Sequence, residues 1–180
     1  MKRVAIVSFL YASIFLAGYT SSHIGWDSPE LLAYRNALER LTGRTVVGNY
    51  NVIIASSAGE FSRLSRLGYW FVAATHGETI YLQPLSLIPD LARTLAHEMS
   101  HIFFQRFNLP YWLEEGFVCT VTGEWVGREE PLLENIEELD HTGMDFMTYR
   151  AYSFSCWRRV GQLLREHGFN ELISRFVAAQ

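Results

Sequence analysis

Cysteine is nearly missing from this chain. Cys119 and Cys156 are the only two in 180 residues, too few for a disulfide framework and without the paired spacing of a zinc–thiolate site. They either pair with each other or remain buried free thiols. Positive charge is also short: 15 Lys and Arg stand against 19 Asp and Glu, for a net charge of −4. No basic patch with interleaved aromatics appears, and both facts argue against nucleic acid as a partner. Internal repeats and low-complexity tracts are absent, and 49% of the residues are hydrophobic while 19% are charged. That balance describes a globular protein, and the length suits one domain with a real core.

A full-length apolar span is lacking as well. The longest apolar run, Val4 to Ala17, is broken by two serines and is short for a bilayer crossing. Met1-Lys2-Arg3 precedes it and Gly18-Tyr19-Thr20-Ser21-Ser22 follows, which is the layout of a secretory signal. Residues 1–22 therefore read as a cleaved signal peptide, or as an uncleaved membrane anchor through residues 4–19 if Gly18 and Tyr19 extend the run. Either way the remainder, residues 23–180, is expected outside the cytoplasm, periplasmic or extracellular. Tyr19 occupies the position where a lipoprotein signal needs Cys, so lipidation is not expected.

What the chain does have is His97-Glu98-Met99-Ser100-His101. On a helix, residues four apart share one face, so both imidazoles can reach one metal ion. Glu98 then lies where its carboxylate can act as base toward a metal-activated water. The preceding segment supports a helix: Pro89 and Asp90 sit at its start, and Leu91, Leu95, Met99 and Ile102 follow at helical spacing. Catalytic zinc sites use three protein ligands and leave the fourth position open. A third donor is offered just past Pro110, where Trp112-Leu113-Glu114-Glu115-Gly116 opens a second helical stretch.

H-E-x-x-H followed by W-L-x-E-G resembles the gluzincin metallopeptidases, the peptidase MA-like group. The resemblance implies Glu115 as the third zinc ligand, with Glu114 in the variable slot. Thirteen residues separate His101 from Glu115, which suits the compact members. It also implies one zinc ion, a peptide or protein substrate, an edge strand that pairs with the substrate backbone, and a Tyr or His that stabilises the oxyanion. Tyr149, Tyr152 and His141 are the candidates for that last role, with Tyr152 preferred on its helical placement. Two departures stand out. Where many relatives carry an acid four residues after the ligand Glu, this chain has Cys119. The G-x-M-E-N motif of the zinc aminopeptidases is absent, which points to an endopeptidase.

Around the motif, Ser28-Pro29-Glu30 reads as a helix start, with Leu31, Tyr34, Leu38 and Leu41 on one face and Gly43 as its end. Thr45 to Ala55 reads as a strand, Ser57 to Leu67 as a short helix, and Tyr69–Thr75 with Glu78–Gln83 as a hairpin about His76-Gly77. Between Gly123 and Phe146, eight carboxylates face the single Arg128, which reads as a solvated surface segment; the alternative is an acidic rim over the cleft that favours basic substrates or binds calcium, without the spacing of a calcium loop. Thr148 is read as the cap of a last long helix ended by His167-Gly168.

The expected architecture is α+β: a small sheet whose hairpin packs on the His97–His101 helix, with further helices C-terminal, a minimal gluzincin-like domain. The expected function is zinc-dependent peptide hydrolysis, with His97, His101 and Glu115 as ligands and Glu98 and Tyr152 as catalytic groups. The alternative is an inactive zinc-holding binding module of the same fold.

Overall fold

The computed structural model describes residues 20–177. The apolar run Val4–Ala17 lies outside them, and among the described residues no helix is long and apolar enough to cross a membrane. The class is α+β, with a small mixed sheet of four strands and five α-helices. Strands β1 (Thr20–Gly25), β2 (Asn49–Ile54), β3 (Ala73–His76) and β4 (Thr79–Leu82) lie in the order β1-β2-β4-β3. β2 and β4 run parallel and the outer pairs antiparallel, so β3 is an edge strand. Gly77, in the left-handed region at φ 57°, turns the β3–β4 hairpin.

β1 occupies residues that read as a polar tail and linker in sequence. Its TSSHIG lacks the alternation of large apolar residues that marks a strand, and its order comes from pairing with β2. The Ser21 hydroxyl adds a 3.0 Å hydrogen bond to Asn51.

Helix α1 (Leu32–Thr42) follows a 3₁₀ turn at Pro29–Leu31 and stops at Gly43 in the left-handed conformation. Helix α2 (Ala58–Ser65) is capped by Ser57, with Glu60 reaching back to the residue before the cap. Ser57 Oγ accepts from the Glu60 amide at 3.1 Å, and the Glu60 carboxylate accepts from the Ser56 amide at 2.7 Å. Helix α3 (Leu91–Gln105) is capped by Asp90, whose side chain accepts from the Arg93 amide at 3.0 Å, so Pro89 lies before the cap and not in the first turn. Helix α4 (Tyr111–Thr122) begins after Pro110 and ends at left-handed Gly123. Helix α5 (Phe146–Val177) is capped by Asp145, whose carboxylate takes the amides of Met147 and Thr148, and it kinks at Gly168. Thr148 is thus inside the first turn; the acid three residues earlier outcompetes its hydroxyl for the free amides.

One apolar core runs through these elements. Leu95, Met99 and Phe103 fall on one face of α3, and Val52, Ile80 and Leu82 of the sheet belong to the same buried cluster. Leu113, Phe117 and Val118 of α4 join it with Val160 of α5. Each large side chain so buried contributes about 1.5–3 kcal/mol. Gly116 lets α4 and α5 approach closely: a Cβ there would stand 2.6 Å from the Cys156 carbonyl oxygen and also strike the Val160 side chain. Gly116→Ala is therefore expected to destabilise by about 1–3 kcal/mol, read as a melting temperature several degrees lower. An unchanged melting temperature would mean that the two helices separate freely.

Candidate metal centre

α3 directs His97 and His101 toward α4, because residues 97 and 101 are one turn apart while the opposite face is occupied by the core, and Glu98 turns toward β3. The His97 and His101 Nε2 atoms lie 3.2 Å apart. From α4, Glu115 Oε2 comes within 3.3 Å of His101 Nε2 and 3.7 Å of His97 Nε2. Ligands on a tetrahedral zinc, each about 2.0–2.1 Å from the ion, stand about 3.3–3.4 Å from one another. The three donors already form a triangle of that size.

The two oxygens of Glu115 have different surroundings. Oε1 accepts from the Ser153 hydroxyl at 2.7 Å, and the Cys119 thiol points at it from 3.6 Å. Among the described residues Oε2 is buried and accepts no hydrogen bond; its nearest polar neighbours are the two Nε2 atoms. A buried carboxylate oxygen without a donor is costly, and a divalent cation is the group that this donor set fits. His97 and His101, one helical turn apart, and Glu115, the ligand implied by the resemblance, thus lie together, and two imidazoles and a carboxylate form a donor set that zinc fits.

Each imidazole is oriented from behind. His101 Nδ1 lies 2.6 Å from Glu114 Oε1, and His97 Nδ1 lies 3.2 Å from Glu124 Oε2. With both Nδ1 atoms turned to carboxylates, both Nε2 atoms are left to face Glu115, the arrangement that fixes metal-ligating histidines. Sequence reading assigned neither role. Glu114 is in the variable slot of W-L-x-E-G, and Glu124 comes from beyond the helix. Glu124 supplies the acid that Cys119 lacks, from nine residues past Glu115. Cys119 and Cys156 are both free and buried.

Glu98 is 8% exposed, and its Oε2 accepts from the Thr75 hydroxyl of β3 at 2.6 Å. A cleft of about 620 Å³ opens over these groups, lined by β3, by Trp70 and Phe71 ahead of it, and by Tyr111, His141 and Tyr149. Tyr149 and Tyr111 share a hydrogen bond at 3.0 Å, and Tyr111 stacks on His141 with ring centroids 3.5 Å apart. Burial, with the Glu115 charge behind it, holds both phenols well above their ordinary pKa, so they stay protonated donors. Burial also lowers the His141 pKa, keeping that ring neutral near pH 7. Tyr152 does not line the cleft. It is 1% exposed, and burial, with the Cys156 thiol beside it, raises its pKa. Tyr149 and Tyr152 lie three residues apart on one helix, roughly 60° apart around its axis, a difference that spacing alone does not resolve. A wider groove of about 970 Å³, lined in part by Glu134, Arg158 and Arg165, includes none of these residues.

The chain matches no protein family, no curated protein and no solved structure.

Without metal, the carboxylates around the two rings favour their protonated forms. Burial opposes charge on His101, but Glu114 and Glu115 outweigh it and raise its pKa to about 9. Burial likewise opposes charge on His97, which Glu115 and Glu124 nevertheless lift well above the ordinary value. Burial would raise Glu115, yet the two rings bring it well below the usual carboxylate range. A histidine raised in the folded state contributes stability that is complete below its unfolded pKa of about 6.5 and fades as pH climbs through the folded value. Chelated protein should therefore lose thermal stability between about pH 6.5 and 9. With saturating zinc, which takes neutral imidazoles, that slope should vanish. Calorimetry across the window checks both; a rising melting temperature in chelator would contradict the cluster.

Proposed function

We propose that the chain is a zinc-dependent peptidase of the gluzincin kind, acting as an endopeptidase outside the cytoplasm. The observation that carries this is the triangle of partly buried His97 with buried His101 and Glu115, one carboxylate oxygen of which lacks a donor among the described residues, and a second carboxylate, Glu98, beside it. These three residues would hold one divalent ion, which when bound supplies a Lewis acid that lowers the pKa of water toward 7 and polarises a carbonyl.

The chain's own groups do the rest. Glu98 accepts a proton from the attacking water and returns it to the leaving amine. The Tyr149 hydroxyl, kept neutral by burial, donates to the oxygen on which negative charge develops. Among the described residues β3 pairs with β4 alone and ends the sheet, and an extended peptide can add to its other edge as a further strand. The β3–β4 hairpin lying against α3, as in a minimal gluzincin-like domain, belongs to the same reading, and Thr75 makes the contact. Secretion or tethering through residues 4–19 completes it.

The test has two parts. Protein purified without chelator is expected to contain one zinc per chain by elemental analysis. It is also expected to cleave a quenched peptide library in a manner that a chelator stops and zinc restores. Absence of bound metal would end the proposal. Stoichiometric zinc with no turnover would leave a binding module in its place.

A further inference from the structure

We infer that Thr75 is the positioning residue for Glu98: its hydroxyl ties the base to the edge strand β3. The inference rests on the peptidase reading above. Glu98 is 8% exposed, and a carboxylate so buried needs a donor. Among the described residues its side chain receives one hydrogen bond, from Thr75 Oγ1 to Oε2 at 2.6 Å. The same hydroxyl lies 3.4 Å from the Glu98 backbone carbonyl, so it bridges side chain and main chain of one residue. With Oε2 engaged, Oε1 is the oxygen left to receive a proton.

The position of Thr75 gives the contact a further use. It stands in the strand whose free edge would carry the peptide, opposite Ile80 of β4. The element that aligns the scissile bond therefore also aligns the base. An error in either registers as a misplaced proton acceptor, and a displacement near 1 Å costs about 100-fold.

Thr75→Val removes the hydroxyl and keeps the β-branched shape. In the zinc-loaded full chain it is expected to lower kcat by about 10- to 100-fold, with KM little changed and zinc still one per chain. Thr75→Ser, which restores the donor, is expected to recover most of that loss. An activity-independent readout uses the chelated protein: the melting-temperature drop from Thr75→Val should shrink when Glu98 is already Ala. A kcat for Thr75→Val equal to wild type, while Glu98→Gln is inactive, would overturn the positioning role and leave the peptidase reading intact. So would melting-temperature shifts that simply add. Wild-type turnover from Glu98→Gln would overturn both.

Discussion

Glu98→Gln is expected to reduce kcat by about 10²- to 10⁴-fold, or about 3–5 kcal/mol of transition-state stabilisation. The amide has the shape of the carboxylate, and its oxygen can still accept from Thr75, which stands 2.6 Å from the native Oε2. It cannot accept a proton. None of His97, His101 or Glu115 is altered, so zinc content should match wild type and the melting temperature should hardly move. The comparison therefore separates chemistry from folding and from metal binding: turnover of a quenched peptide, with zinc measured on the same sample. Equal turnover in variant and wild type would mean that the base is not Glu98, and the reading of the cleft as a hydrolase site would go with it.

His97, Glu98 and His101 were legible in sequence because a four-residue spacing on an apolar-striped segment already fixes their relative directions. Glu115 was reachable only through resemblance, since nothing local says that α4 folds back on α3; the structure supplies that through the turn at Asn108, which sits at φ 48°. Glu124 was out of reach. Twenty-six residues lie between it and His97, and it stands in an acidic stretch where any of several carboxylates looks equivalent. Ser153 was hidden for a related reason: one of three serines on a long helix carries no signal until Glu115 is set 2.7 Å from it. The helices were read well where cap chemistry is local, as at Ser57 and Gly43, and less well where two caps compete, as at Asp145 and Thr148. Strand β1 shows the limit, because its order comes from a partner 30 or so residues away.

Glu115→Gln is expected to empty the site. Under conditions where wild type holds one zinc, the variant should retain less than a tenth, and peptide turnover should fall below detection. A neutral amide is a poor ligand for a divalent ion, yet it can keep the Ser153 hydrogen bond now made to Oε1 at 2.7 Å, so packing loss does not explain the result. Glu114→Gln and Glu124→Gln act from behind the rings and should each weaken zinc by only about 10- to 100-fold. Ranking the three separates a ligand from its supports. The metal-free variant carries a second signature. Removing the one carboxylate that faces both Nε2 atoms leaves buried His101 and partly buried His97 without their shared anion, and breaking a buried pair costs up to about 3–5 kcal/mol. That cost exists only while the rings are protonated, so it should be larger at pH 6 than above the His101 value of about 9. Wild-type zinc affinity in Glu115→Gln would show that the cation, if any, sits elsewhere; a pH-independent destabilisation would show that Glu115 is merely packed there, with no charge to balance.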